Sequence, residues 1–392
     1  MTIFALSSGP GISGVAIIRV SGLGTKNVIK KLTKEDLPIP RVATTKKFKE
    51  FNNNNIIDEG ILLWFPAPNS YTGEDMAEIH VHGSIAVVRA ILDQLSKIDD
   101  CRIAEPGEFT KIAFQNGKIN LLKAESISDL ISAETEIQRI QAVKMMNGKS
   151  SDKFNSLREK LLKILSNVEA KIDFPDDDLP DDVVKNIKND SENIRSEIEK
   201  ILNDQKVGER IREGFKIAII GPANAGKSSL LNYLSNRDVA IVSEVAGTTR
   251  DVVEAHLNLD GYPVVVSDTA GIRESKDEIE KKGIKLALKR AEDADLNIIV
   301  IEPKSTEFTG FLNDLVTNKA IIVMNKIDLG LENINDQIKK YKPIYLSLKK
   351  EKNLEGLIKA IKEKLKNKFL NPEQTLISRE RHRQSLEACV NH

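Results

Sequence analysis

The stretch from Lys216 to Leu231 constrains this chain more than any other. Ile217, Ala218, Ile219 and Ile220 form a short apolar strand, Gly221-Pro222-Ala223-Asn224-Ala225-Gly226-Lys227-Ser228 a glycine-bearing loop, and Ser229, Leu230 and Leu231 the start of a helix. A strand, a glycine loop and a helix in that order let backbone N–H groups wrap a β-phosphate. Lys227 then neutralises β- and γ-oxygens, and the Ser228 hydroxyl ligates Mg²⁺. The helix N-terminus adds the positive end of its dipole.

Two further strings fall where a guanine-nucleotide domain needs them. Asp268-Thr269-Ala270-Gly271 follows the apolar run Val264, Val265, Val266, which puts a carboxylate at a strand end facing the Mg²⁺ shell and a glycine N–H near the γ-phosphate. Asn325-Lys326-Ile327-Asp328 follows the run Ala320 to Met324. A carboxylate there accepts from both N1–H and the 2-amino group of guanine, a donor pair that adenine lacks. The chain therefore reads as GTP-specific, with a P-loop ATPase as the competing reading.

The 392 residues allow two or three domains, and 58 basic residues against 58 acidic ones exert no global pull toward nucleic acid or membrane. No run of about 18 apolar residues appears and the N-terminus lacks a signal-peptide pattern, which predicts a soluble, cytoplasmic protein. Cys101 and Cys389 are isolated, so neither a zinc site nor a disulfide framework is expected.

The periodicity predicts a multidomain architecture. Residues 1–117 alternate β-like runs (Ile3 to Leu6, Val15 to Val20, Ile56 to Phe65, Met76 to Val81) with helical patterns (Thr25 to Leu32, Ile85 to Ile98), an N-terminal α+β domain. His80 and His82 share a strand face there without a third metal ligand in company, and Ser70 to Asp75 reads as an ordinary loop. Residues 118–213 carry an apolar stripe at helical spacing, broken by the acidic, proline-bearing Asp173 to Pro180, and form the first part of an α-helical domain. Residues 214–368 alternate strands and helices as a parallel sheet requires, an α/β Ras-like P-loop GTPase domain. Helical pattern resumes in 369–392, which makes the GTPase domain an insertion in the helical one.

Hydrolysis needs an unusual device. Ile272 stands where Ras-like domains carry the glutamine that orients the attacking water. Asn224 offers a side-chain carbonyl near the β/γ bridge. Together with backbone carbonyls of a switch loop spanning Val239 to Thr249 it can enclose a monovalent cation, and one threonine of that loop can complete the Mg²⁺ shell.

Taken together, Asn224-Ala-Gly-Lys-Ser228, Gly247-Thr-Thr-Arg-Asp251, Asp268-Thr-Ala-Gly-Ile-Arg273 and Asn325-Lys-Ile-Asp328 resemble GTPases with a hydrophobic residue in place of that glutamine. Gly14-Val-Ala-Ile-Ile-Arg19, Phe65-Pro-Ala-Pro-Asn-Ser-Tyr-Thr-Gly-Glu-Asp75, Pro106-Gly-Glu-Phe-Thr110 and Ile172-Asp-Phe-Pro175 narrow the resemblance to the MnmE (TrmE) family of tRNA-modification GTPases, over essentially the whole chain. The resemblance implies that the GTPase domain dimerises across its switches in a K⁺-dependent way. K⁺ would be held by Asn224, Ser243, Val245 and Thr248, Mg²⁺ by Ser228 and Thr249. Catalysis would fall to Lys227, Asn224 and Glu280, the last orienting the attacking water. GTP contacts would run over Asn224, Ala225, Gly226, Lys227, Ser228 and Ser229; Ser243, Glu244, Val245, Ala246, Gly247, Thr248 and Thr249; Asp268, Thr269, Ala270 and Gly271; and Asn325, Lys326 and Asp328, completed by Ser347, Leu348 and Lys349.

The same resemblance implies a homodimer whose N-terminal domain binds a 5-formyl-tetrahydrofolate-type one-carbon donor through Arg19, Glu78 and Lys118. It also implies work with the flavoprotein MnmG on the tRNA wobble uridine, installing a 5-carboxymethylaminomethyl or aminomethyl-type group. Family members continue past His392 to a Cys-x-Gly-Lys motif, which Cys389-Val-Asn-His392 is not. From this follow two expectations: helices left without partners that expose Leu157 and Ile164, and retained nucleotide binding with reduced or absent modification. A ribosome-assembly nucleotide switch and a truncated, non-modifying paralogue stand as alternatives.

Overall fold

The computed structural model describes residues 1–173, 182–222, 224–237, 254–268, 289–303, 315–330, 336–368 and 375–392. They divide into two compact units, Met1–Glu125 and Ser126–His392.

The first unit is built on a sheet of β1 (Thr2–Leu6), β2 (Ser13–Ser21), β3 (Thr44–Lys49), β4 (Ile56–Phe65), β5 (Met76–Gly83) and β6 (Cys101–Ile103), in the spatial order β3-β4-β5-β2-β1-β6. All neighbours run antiparallel except β6, which lies parallel to β1. Strand alternation sorts the faces. Ala16, Ile18 and Val20 of β2 and Ala77, Ile79 and Val81 of β5 turn inward against Val28, Ile29 and Leu32 of α1 (Thr25–Thr33) and Ile91 and Leu95 of α2 (Ile85–Leu95). Each fully buried Val, Ile or Leu among them contributes about 1.5–3 kcal/mol. The same alternation leaves Arg19, Glu78 and His80 on the opposite, half-exposed face. α3 (Glu108–Gln115) follows β6. β3 and β6 lie outside the strand pattern expected from sequence. β3 reads Thr-Thr-Lys-Lys-Phe-Lys, charged as an edge strand needs to be to resist pairing with other chains.

In the second unit, the apolar stripe after Lys118 resolves into a succession of helices. α4 (Leu121–Ile131) leads into it, followed by α5 (Glu136–Met146), α6 (Lys149–Asp173), α7 (Asp182–Leu202) and α8 (Val207–Glu213). A capping box starts α5. Thr135 Oγ1 accepts from the Gln138 N–H while the Gln138 side chain accepts from the Thr135 N–H. Leu157 of α6 is 4% exposed, packed against Ile194 and Ile198 of α7, with Ile164, Leu386 and Val390 around them. The expectation that Leu157 and Ile164 would lie bare is therefore corrected. α12 (Glu380–Asn391), after the α/β sheet in sequence, returns to α7 and covers that seam.

The α/β sheet comprises β7 (Phe215–Ile220), β8 (Glu254–Leu259), β9 (Tyr262–Asp268), β10 (Leu296–Ile301), β11 (Ala320–Met324) and β12 (Ile344–Tyr345), ordered β12-β11-β10-β7-β9-β8. Every pairing is parallel except the β8–β9 hairpin. Successive residues of β7 enter opposite cores. Ile217 and Ile219 meet Leu230 and Leu234 of α9 (Lys227–Arg237) and Leu357 and Ile361 of α11 (Leu354–Lys368), while Ala218 and Ile220 meet Ile299, Ile322 and Met324 on the other face. Ile338 of the short α10 (Asp336–Lys340) joins that second core. Burial on both faces is what turns Leu-Asn-Ile-Ile-Val-Ile in β10 into a central parallel strand. The chain direction across the sheet reverses at β7, so the crevice at its carboxyl end is the place for a ligand.

Ion pairs fix the segments on either side of this sheet. Asp129 Oδ1 on α4 accepts from Arg212 Nε at 3.1 Å and Arg379 Nη2 at 2.7 Å, gripping the chain just before β7 and just before α12. Arg383, whose side chain is 6% exposed, donates from Nε to Glu209 Oε1 at 2.8 Å and from Nη1 to the Leu202 carbonyl at 2.8 Å. Removing one member of such a shielded pair strands the other charge. Arg383→Met is expected to lower unfolding free energy by about 3–5 kcal/mol in urea titration. Arg381→Met, at an exposed position of the same helix, serves as the control.

Candidate functional site

β7 delivers the chain to Gly221, where a Cβ would lie 2.0 Å from the Val300 carbonyl oxygen of β10. Only glycine lets the loop start this close to its neighbouring strand. Asn224 is exposed and turns through a left-handed φ of 63°, and Gly226 through 102°. α9 starts at Lys227 with Ser228 and Ser229 exposed in its first turn, at the positive end of the helix dipole. Lys227 is 9% exposed and its ammonium donates to the Pro222 carbonyl at 2.8 Å, so the side chain is folded back over its own loop. The β7–β9 register sets Asp268, by backbone position, opposite Ile219 and beside the loop.

The loop is tied to a second corner through Asn325. This residue is 3% exposed at the end of β11. Its Nδ2 donates to the Ala225 carbonyl at 2.9 Å, and its Oδ1 accepts from the Leu348 N–H at 3.1 Å. A Cβ on residue 226 would sit 2.3 Å from that Nδ2, so Gly226 is what allows the brace to form. The brace brings Ser347-Leu348-Lys349 against the phosphate loop. In that turn the buried Ser347 hydroxyl donates to Asp328 Oδ1 at 2.5 Å, and accepts from the Lys350 N–H at 3.2 Å. The Ser347 hydroxyl, with Lys349 and Lys350 nearby, holds the Asp328 carboxyl below the usual carboxylate range. Its remaining lone pairs stay available as acceptors. Lys326, at a φ of 59°, points its ammonium to Glu302 Oε2 at 2.6 Å.

The structure thus brings together Asn224, Ala225, Gly226, Lys227, Ser228, Ser229, Asn325, Lys326, Asp328, Ser347, Leu348 and Lys349 at the carboxyl edge of the sheet, with the backbone of Asp268. Ser243, Glu244, Val245, Ala246, Gly247, Thr248, Thr249, Thr269, Ala270, Gly271, Ile272 and Glu280 lie outside the described residues.

The first unit carries a second cluster. Arg19 and Glu78 face each other across β2 and β5, with Arg19 Nη2 2.7 Å and Nε 3.1 Å from Glu78 Oε1. The guanidinium also lies 5.4 Å from the ring centre of Tyr71 and 5.6 Å from that of Phe109, within cation–π range of both. Tyr71 is fastened by a 2.9 Å hydrogen bond to Thr110 Oγ1. Phe109 is placed by α3, whose first residue, Glu108, accepts from Arg102, a hydrogen bond that lowers the Glu108 pKa to about 2. Lys118 lies in the turn after α3, exposed, and its ammonium donates to the Pro68 carbonyl at 2.9 Å, in the loop that carries Tyr71. That loop is accordingly a built wall of the cluster, a correction to its reading as an ordinary connection. His82 Nδ1 lies 2.9 Å from Asp58 Oδ1.

Two family models match the chain: "GTP-binding protein TrmE N-terminus" over residues 2–118, and "MnmE helical domain" over residues 121–392. The chain belongs to the MnmE family. A tRNA modification GTPase MnmE from Pelagibacter ubique is 68% identical over 391 residues, covering 100% of this chain and 88% of that relative. MnmE proteins from Rickettsia bellii and Parvibaculum lavamentivorans are 45% and 41% identical, each covering 99% of this chain and 88% and 87% of their own lengths. Among solved structures, Aquifex aeolicus Era aligns at 32% identity over 38% of this chain and 56% of its own, with a TM-score of 0.29, too low to bear on the fold.

Some contacts of this MnmE family member carry no local sequence signal. Tyr71 and Phe109 belong to the Phe65–Asp75 and Pro106–Thr110 strings that point to the family, yet nothing in those strings reveals a shared guanidinium. The Ser347 bond to Asp328 spans 19 residues and is likewise invisible to periodicity. It generates a pH prediction. A carboxyl with a lowered pKa stays ionised, and able to accept from guanine, to a lower pH. Ser347→Ala removes the largest cause of the lowering, so the acidic limb of a GDP-affinity profile is expected to move to higher pH. Fluorescence titration of labelled GDP across the acidic range reads the shift, and an unmoved limb counts against the assignment of Asp328.

Proposed function

We propose that this chain acts with MnmG on the wobble uridine of tRNA, coupling GTP hydrolysis to installation of a 5-carboxymethylaminomethyl or aminomethyl-type group whose ring-attached carbon comes from a folate-borne one-carbon unit and whose nitrogen comes from an amine, glycine or ammonia. The enzyme is a GTPase of the MnmE family, and the reading rests foremost on 68% identity along the entire chain to a tRNA modification GTPase. The braced phosphate loop supports the hydrolytic half. Asn325 joins it to the Asp328 and Ser347 corner, so phosphate and base are gripped by one rigid unit. In this reading the GTPase domain is an insertion in the helical domain. The return of α12 to α7 supports that, as does a helical-domain match running across the whole of residues 121–392.

Mg²⁺ would be held by Ser228 with Thr249, and K⁺ by Asn224 with Ser243, Val245 and Thr248. The exposed hydroxyl of Ser228 at a helix start and the exposed amide of Asn224 in the loop suit hard cations that prefer oxygen ligands. Bound there, the two cations would supply positive charge to the phosphates, K⁺ in the part that an arginine finger plays in other GTPases. Lys227 spreads charge from the β- and γ-oxygens, and Glu280 orients water. Two copies meet across their switches, as a homodimer working in the cytoplasm. Among the described residues no helix is long and apolar enough to cross a membrane.

The Arg19 cluster supports folate binding. A pterin is a flat ring with an amidine-like edge that pairs with a carboxylate such as Glu78, and its glutamate tail suits Arg19 or Lys118. Tyr71 and Phe109 provide aromatic surface beside it.

Hydrolysis in KCl against NaCl tests the cation reading. Asn224→Ala is expected to lower kcat by roughly tenfold or more, the scale of one lost transition-state contact, and to erase the preference for K⁺. Indifference of the parent chain to the cation favours a nucleotide switch instead. Arg19→Ala is expected to weaken 5-formyl-tetrahydrofolate binding by roughly tenfold or more in calorimetry, the loss of a charge-assisted hydrogen bond. Nucleoside mass spectrometry of tRNA incubated with the chain, MnmG, folate donor, an amine (glycine or ammonium), a reductant for the flavin and GTP reads the modification directly. No new wobble nucleoside despite GTP turnover would falsify the modifying role.

A further inference from the structure

We propose that Glu302 is a positioning residue for guanine nucleotide, acting through Lys326; this rests on the reading of the Asn325 to Asp328 corner as the guanine site. Glu302 directly follows β10. The β10–β11 register pairs Ile301 with Met324, and the Asn325 N–H donates to the Ile301 carbonyl at 2.8 Å. Glu302 is thereby carried to the same carboxyl edge as the residues that would read the base. Its Oε2 accepts from the Lys326 ammonium at 2.6 Å, which links it to the site.

The geometry explains why that bond matters. Lys326 sits between Asn325, which braces the phosphate loop, and the turn Ile327–Leu329, which contains Asp328. Its left-handed φ of 59° fixes where the side chain leaves the backbone. A four-carbon stem leaving that point is otherwise free to sample many rotamers, and ordering it is a cost that nucleotide binding would bear. The two side chains are 32% and 28% exposed, so the pair is shielded over most of its surface and held more firmly than an open surface pair. With its ammonium fastened to Glu302, the apolar stem of Lys326 is set in place before the base arrives. Lys326 is thus kept apart from phosphate neutralisation, which belongs to Lys227.

The test uses the full chain and GDP as the probe. Glu302→Gln keeps the shape and removes the charge. Ordering one long side chain predicts a loss of about threefold to tenfold in GDP affinity by calorimetry. Lys326→Met is expected to weaken binding at least as much, and Glu302→Gln to add nothing in the Lys326→Met background. Glu302→Asp should restore part of the affinity. Because the 2-amino group is read by Asp328, the ratio of GDP to IDP affinity should stay unchanged in Glu302→Gln. Unaltered GDP affinity in Glu302→Gln overturns the proposal, and so does an equal loss in both backgrounds, which would mean a general loosening; a thermal melt identifies that case. Asp328→Asn separates the two levels. If it leaves GDP affinity intact, the guanine-site reading falls and takes this inference with it; if it weakens GDP while Glu302→Gln does not, only the role of Glu302 is lost.

Discussion

The amide of Asn325 is the interaction on which the geometry of the candidate nucleotide site depends. It donates to the phosphate loop at Ala225 and accepts from Leu348. An amide suits the task because it offers a donor and an acceptor on one short, buried side chain. It works only because residue 226 has no Cβ to fill the same space. Two loops separated by more than a hundred positions in sequence are thereby held as one object. The free energy that nucleotide binding would otherwise spend on aligning them is settled during folding. The adjoining Ser347–Asp328 and Lys326–Glu302 bonds extend the same rigidity into the turn after β11.

Charge serves a different purpose where the α/β sheet joins the helices of the second unit. Asp129 engages Arg212 and Arg379, and Arg383 engages Glu209, at positions largely shielded from water. Such pairs add little net stability compared with well-packed apolar groups. What they add is definition, since each charge has one arrangement in which its partner is within reach. The segments before β7 and after α11 are therefore set in register against α4, α7 and α8, and Leu157 finds its cover in α12. Any movement that a nucleotide drives in the sheet has a defined frame to act against.

The cluster around Arg19 solves a further problem, keeping a cation ordered on a half-open sheet face. Glu78 supplies charge, and Tyr71 and Phe109 supply quadrupoles, from elements brought together only by the fold. An arginine so fixed loses little side-chain entropy when an anion approaches.

By itself the sequence determined what is local or periodic. The strand, glycine loop and helix from Lys216 to Leu231, the alternating faces of β2 and β5, and the apolar runs ending in Asp268 and Asn325 all follow from spacing, because backbone hydrogen bonding and side-chain alternation act between near neighbours. The family followed from strings such as Phe65 to Asp75. Tertiary structure alone decided the rest. It showed β3 as a lysine-rich edge strand, buried Leu157 under a helix from the far end of the chain, fastened Asp328 to Ser347, and placed Glu302 on Lys326. Those outcomes depend on which surfaces meet, and contact between segments far apart in sequence leaves no period for a single chain to display.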